Sequence, residues 1–273
     1  VSTATAAPPP QRQHVLYLDW PDVEGWLTGR LRRVWRDGRA VALAPAWAPG
    51  QHWALVGPTG EGKSTFAVAL MRLRKYVLAL DPKGADETLA ASGYERISGG
   101  LPPRKRFPRK IQRDLDEGRV PVRLIIGFEA LTDDEDDRLR AMMAEAITYA
   151  RRAGAWCLYV DEFEVLSSQR MFRLGPVIER MLITARRKKT SVITAFQAPA
   201  WVSKHSTRQA TFCVLFPTRA LDMIKQVAES MGRDWRTVAA IVDELPPFHA
   251  LIIPKSHRHP MVICSAPELT LAA

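Results

Sequence analysis

Residues Gly57-Pro58-Thr59-Gly60-Glu61-Gly62-Lys63-Ser64 satisfy the pattern G-x-x-x-x-G-K-[ST] in full, and Thr65 follows them. Each position has a chemical reason. The glycines allow a backbone whose N–H groups converge on phosphate oxygens, and a helix starting at the lysine adds favourable partial charge there. Lys63 has the reach and charge to meet the β- and γ-phosphates of a nucleotide, and the Ser64 hydroxyl is a hard oxygen ligand suited to Mg2+. Thr65 is placed to contact the α-phosphate. The cofactors expected are therefore ATP and Mg2+. The loop also stands where the mechanism needs it, after the apolar run Trp53–Val56 and before a helical pattern over 63–74.

A second group completes this chemistry. The apolar run 156–160 ends in Asp161-Glu162. By itself an acidic pair after a strand is an ordinary turn. Behind a phosphate loop, Asp161 would hold Mg2+ through water and Glu162 would orient or deprotonate the attacking water. The run 192–196 ends in Gln197, whose amide can hydrogen-bond both a γ-phosphate and the catalytic water. Alone, that glutamine would be indistinguishable from a surface residue. Its place at the end of the next strand makes it a candidate.

These groups need a scaffold that brings strand ends together. From His52 onward, short apolar runs at Trp53–Val56, Tyr76–Leu80, Val122–Ile126, 156–160, 192–196 and 212–216 alternate with helical patterns, notably at 63–74, 133–151 and 176–187. The alternation predicts an α/β fold with a mostly parallel central sheet flanked by helices on both faces, as in P-loop NTPases. The runs are nearly continuous in hydrophobicity, as strands buried on two sides are. In such sheets ligands bind at the C-terminal strand ends, where Gly57, Asp161 and Gln197 all fall. The expected division is a flexible proline-rich tail over 1–13, a small N-terminal element over 14–50 and the ATPase domain over 51–273. The element carries Trp20, Trp26, Trp35 and Trp47, and its role is not legible.

Composition narrows the classes further. Lys and Arg number 39 against 29 acidic residues among 273, a net charge of +10 that favours polyanionic partners. Cys157, Cys213 and Cys264 are far apart and flanked by apolar residues, so buried thiols are expected rather than disulfides or a metal site. The longest uncharged stretch, 40–60, is broken by prolines and glycines, so no transmembrane segment is expected. With no apolar leader visible, the expected location is cytoplasmic, of a host cell if the protein is viral. The chain contains no asparagine and no [NT]-K-x-D, which removes the usual guanine-reading element of GTPases.

Taken in order, the motifs resemble the FtsK–HerA superfamily of DNA-pumping ATPases, an ASCE/RecA-like branch of the P-loop fold. The resemblance runs over about residues 52–253. It includes the phosphate loop, Asp81-Pro82-Lys83-Gly84 after the second strand, and Asp161-Glu162. Ala185-Arg186-Arg187 follows, then the strand ending in Gln197-Ala198-Pro199, and Thr207-Arg208 before the run 212–216. Phe196 departs from the family's usual Thr. The resemblance implies a homo-oligomer, typically a hexameric ring, with nucleotide between subunits and an arginine of one subunit completing its neighbour's site. Arg186 matches that arginine, with Arg187, Arg208 and Arg219 behind it. Arg186 also suits a solvated helix C-terminus. The compact chain looks most like the viral genome-packaging ATPases, which implies double-stranded DNA as substrate and a capsid vertex or portal-like partner. The basic stretch with Arg104, Lys105, Arg106, Arg109 and Lys110 around Phe107 is the candidate DNA contact. The alternative readings of this stretch, a solvated loop or a subunit contact, are the less favoured ones. A secretion or filamentous-phage assembly type ATPase, or a nucleotide-dependent switch, are the competing expectations.

Overall fold

The computed structural model describes residues 15–36, 39–43, 47–98, 122–169, 171–197, 204–257 and 259–267. The tail over 1–13, the basic stretch from Arg104 to Lys110, and Ala198 and Pro199 lie outside the described residues.

The central sheet contains strands β1 (Val15–Leu18), β4 (Trp53–Val56), β5 (Tyr76–Leu80), β6 (Glu95–Ile97) and β7 (Val122–Ile126). It continues with β8 (Cys157–Val160), β9 (Ser191–Phe196), β10 (Phe212–Leu215), β11 (His249–Pro254) and β12 (Met261–Ser265). Among the described residues these ten strands lie in the order β1-β12-β11-β10-β4-β9-β8-β5-β7-β6. All neighbours pair in parallel except across β11, which is antiparallel to β10 and β12. The mostly parallel sheet expected from the sequence is present. The apolar runs match their strands to within a residue at either end.

Helices cover both faces, each with its own core. One face carries α1 (Trp20–Leu27), α2 (Lys63–Arg72) and the short α3 (Glu87–Ala90). The other carries α4 (Asp133–Ala153), α5 (Phe163–Ser167), α6 (Gly175–Thr184), α8 (Leu221–Ser230) and α9 (Trp235–Asp243). A further short helix, α7 (Lys204–Gln209), leads into β10. Helix α4 shows why the pattern was readable. Leu139, Met142, Met143, Ala146, Ile147 and Ala150 form one buried stripe at helical spacing. Thr132 caps the helix by accepting from Glu135 N, and Glu135 accepts from Leu131 N in return. The carboxylates of 133–136 fill the first turn, where the helix dipole favours them.

The N-terminal segment is tied into this architecture. β1 extends the main sheet by pairing with β12, from Val15 opposite Met261 to Leu18 opposite Cys264. Trp26 is buried edge-on against Phe212, whose ring stacks on Trp53 at 4.4 Å between centroids. Such aromatic contacts are worth about 1 kcal/mol each beyond the area they bury. The Arg74 guanidinium lies 3.7 Å over the Trp47 ring and donates to the Trp47 carbonyl. β2 (Arg33–Arg36) and β3 (Arg39–Ala42) form a separate two-stranded sheet, where Trp35 is exposed.

Candidate functional site

Register decides where the site forms. Val56 pairs with Phe196, Val160 with Thr194, and Leu80 with Val160. The next residues, Gly57, Gln197, Asp161 and Asp81, therefore leave the sheet at one edge. A cleft of about 390 Å³ opens there, lined by Thr59, Lys63, Ser64, Asp161, Glu162 and Gln197 among others. The structure thus gathers these separately read motif residues into one place.

The phosphate loop is shaped to receive a ligand. Gly60 and Gly62 have φ of 87° and 90°, and no heavy atom lies within 4 Å of where a Gly60 Cβ would stand. Lys63 opens α2 as a buried residue, and its Nζ donates back to the Pro58 carbonyl. Burial pushes its ammonium below the ordinary lysine range, an effect that Asp161, Glu164, Glu162 and Glu61 partly oppose. A buried cation at the mouth of a glycine loop calls for an anion, which phosphate supplies.

Beside it stands a cluster of carboxylates. Tyr159 donates to Asp161 Oδ1 at 2.8 Å. Burial pushes the Asp161 carboxyl up to about 7 against that hydrogen bond, and Asp86, Glu162 and Asp81 push it the same way. Ser64 Oγ donates to Asp86 Oδ2 at 3.1 Å, leaving its lone pairs free for a cation. Asp86 also caps α3, accepting from Leu89 N at 2.7 Å. Among the described residues no cluster of three or more His, Cys, Asp or Glu could hold a metal by itself. For Mg2+ proteins commonly supply one or two ligands and leave the rest to phosphates and water. Ser64 and Asp161 fit that part.

Glu162 sits in the left-handed region with φ 44° and ψ 57°, at the start of α5. This strained turn follows directly from β8 and aims the side chain into the cleft. Oε1 accepts from Gln197 Nε2 at 2.6 Å and pairs with the Lys83 ammonium. Oε2 is buried and makes no hydrogen bond among the described residues. Gln197 Oε1 in turn accepts from Thr59 Oγ1 at 2.8 Å, and its backbone N donates to Glu164. A continuous relay therefore joins the phosphate loop to the Glu162 carboxylate.

Motif reading left the roles of Lys83 and Asp81 open and did not reach Asp86. The structure gives each a position. Asp81 is fully buried, accepting from Gly84 N, Asp86 N and Arg96. It folds the 81–86 turn so that Lys83 meets Glu162 and Asp86 meets Ser64. Gly84 is obligatory in that turn, since a Cβ there would stand 2.0 Å from the Phe128 carbonyl carbon. The hydrogen bond from Lys83 to Glu162 holds its ammonium above the ordinary lysine range. The Asp-Pro-Lys-Gly sequence was the available signal, but the partner of each side chain was not.

Arg186 lies elsewhere. It is exposed in the 3-10 turn Ala185–Lys188, before β9, at the opposite end of that strand from Gln197. It lies at the end of the sheet away from its own phosphate loop. Arg208 lies in the last turn of α7 and Arg219 follows β10.

Strand order, helices on both faces and the glycine loop between β4 and α2 define a P-loop NTPase fold. No family model matches the chain, and no curated protein matches it. Among solved structures it is similar to VirB4 of Thermoanaerobacter pseudethanolicus, with a TM-score of 0.58 and 12% identity over 86% of this chain and 95% of that one. It is also similar to the genome packaging NTPase B204 from Sulfolobus turreted icosahedral virus 2 in complex with AMPPCP, with a TM-score of 0.54 and 16% identity over 81% of this chain and all (100%) of that one. A third likeness is to the pCW3 conjugation coupling protein TcpA with ATPgS, at a TM-score of 0.50 and 12% identity over 90% of this chain and 68% of that one. The chain shares the P-loop NTPase fold of these structures.

Proposed function

We propose that the chain is an ATP-driven double-stranded DNA translocase, a motor subunit of the kind that packages a viral genome. The observation that carries the ATPase part is the relay from Thr59 through Gln197 to Glu162, across the cleft from Lys63. It links the place where a γ-phosphate would rest to the carboxylate that would deprotonate water, so loss of that phosphate can be felt at the sheet edge. Lys63 and the backbone of 57–65 bind the phosphates, and Gln197 and Glu162 position the water. Ser64 and Asp161 would hold Mg2+, which when bound neutralises phosphate charge. Nucleic acid as substrate is supported by the net charge of +10 and by neighbours whose own names include genome packaging and conjugation coupling. No helix among the described residues is long and apolar enough to cross a membrane.

Duplex DNA should then stimulate ATP hydrolysis. The DNA concentration giving half-maximal stimulation should rise by about a thousandfold between 50 and 200 mM salt if some six phosphates are contacted. Neutralising Arg104, Lys105, Arg106, Arg109 and Lys110 together should flatten that salt dependence and spare the DNA-independent rate. Hydrolysis indifferent to any DNA at low salt would remove DNA from the proposal, and a dependence on a protein partner instead would favour a secretion-type motor.

The proposal includes a ring in which Arg186 stabilises transition-state charge in the neighbouring site. Arg186→Ala mixed with wild-type subunits should reduce hydrolysis more steeply than dilution alone. A loss strictly proportional to the mutant fraction would reassign the role, with Arg208 and Arg219 next to be tested.

A further inference from the structure

The turn Pro246-Pro247-Phe248 leads into β11 and presents an aromatic ring to solvent. Phe248 is 64% exposed and has φ 59°. Glycine adopts that backbone freely and a bulky residue rarely does. An aromatic ring in water on a strained backbone is doubly unfavourable, and neither feature helps the fold.

Its surroundings suggest what it serves. The Phe248 carbonyl accepts from Ala266 N, and the Ala266 Cβ lies 3.8 Å from where a Cβ on Gly62 would stand. The Phe248 backbone is thus bonded to Ala266, which lies beside the phosphate loop. Strand direction explains this. Because β11 runs against its neighbours, its beginning lies at the edge where β4 and β10 end. His249 pairs there with Ser265, one residue before Ala266.

A nucleotide in this loop has a direction. Lys83, Glu162 and Gln197 mark its reacting-phosphate end, on the side of β5, β8 and β9. A phosphate chain laid from there along Gly60 and Gly62 would bring its nucleoside out on the flank of β10, β11 and β12. Phe248 stands on that flank, at the same edge.

We infer that Phe248 is the platform on which the base of the bound nucleotide stacks. The inference rests on reading residues 57–65 as a nucleotide site. A ring face offers contact area and no hydrogen-bond pattern, so it accepts adenine and guanine alike.

Calorimetric titration of the full chain with ATP, GTP and inorganic tripolyphosphate, each with Mg2+, tests this directly. Phe248→Ala should weaken ATP and GTP together by about tenfold and leave tripolyphosphate, which has no base, unchanged. In turnover the loss should fall on KM, with kcat at saturation within about twofold of wild type. Phe248→Tyr should restore affinity. Phe248→Gly relaxes the backbone, so its thermal midpoint should rise while its ATP affinity falls, a divergence that a purely structural role would not produce. Unchanged ATP affinity in Phe248→Ala overturns the platform, as does a parallel loss of tripolyphosphate. Wild-type protein that binds tripolyphosphate as tightly as ATP also overturns it and leaves the phosphate loop intact. Wild-type protein that binds neither removes the nucleotide-site reading as well.

Discussion

Replacing Glu162 with glutamine should lower ATP turnover by about a thousandfold while nucleotide binding survives. The substitution is nearly isosteric, and the surroundings are suited to it. Oε1 can still accept from Gln197 Nε2 and from Lys83, so the relay to Thr59 persists. The new amide nitrogen replaces Oε2, the oxygen that makes no hydrogen bond among the described residues. What disappears is the ability to take a proton from water. Lys63 and the glycine loop are untouched, so ATP should remain bound. Single-turnover hydrolysis together with equilibrium binding of labelled ATP separates the two effects. A variant that hydrolyses at the wild-type rate would remove Glu162 from the chemistry.

Asp161→Asn should move stability and function in opposite directions. The Asp161 carboxyl is pushed up to about 7 by burial, from an ordinary value of 3.8. Because the folded form holds its proton more tightly than the unfolded chain does, this group stabilises the fold fully below about pH 4. That contribution is lost as pH rises through 7. Asparagine carries no such proton and can still accept from Tyr159. In magnesium-free buffer at pH 8 the variant should therefore be more stable than wild type by roughly 2–4 kcal/mol, and at pH 4 nearly equal to it. Added Mg2+ with ADP should stabilise wild type strongly and the variant little, and Mg2+-dependent hydrolysis should fall with it. Urea unfolding at the two pH values, with and without the metal, measures all of this. Equal stabilities at pH 8 would show that the carboxylate ionises there without penalty.

These two residues were legible because their signal is local. A run of apolar residues buried on both faces and ending in Asp-Glu can be read in seven letters, and the phosphate loop in nine. The six strands named from the sequence were legible for the same physical reason: nothing on either side of a central strand meets water. β1 was not, since VLYL is four residues long with an exposed Tyr17, a pattern many loops share. Nor was the reversal of β11, because direction is set by the connection into β12 and not by the composition of either strand. The 176–187 helical pattern was right in place but ends at Thr184, where the chain tightens into the 3-10 turn that carries Arg186.

Within the site, the illegible part is pairing. Lys83, Asp86, Tyr159 and Arg96 are ordinary residues in sequence. Asp81 fixes the 81–86 turn by accepting from two backbone amides and from Arg96, fifteen positions away. Only folding brings Lys83 to Glu162 and Asp86 to Ser64. Phe248 was hidden for another reason: an apolar residue after two prolines reads as a loop, and its nearness to the phosphate loop, by way of Ala266, appears only in the fold.

The pairing of β1 with β12 has a consequence for how the protein is made. The partner of Val15–Leu18 is synthesised roughly 240 residues later, about 20 s at common ribosome speeds. For that interval the aromatic side chains of Trp20 and Trp26 have emerged without the strand that anchors their segment at the sheet edge. β12 thus serves as a checkpoint for β1. A nascent chain arrested before residue 261 would hold the phosphate loop and the strand that ends in Asp161-Glu162, yet leave an open edge at β11. Chaperone dependence, and sensitivity to slow translation of the codons for β12, should be concentrated there.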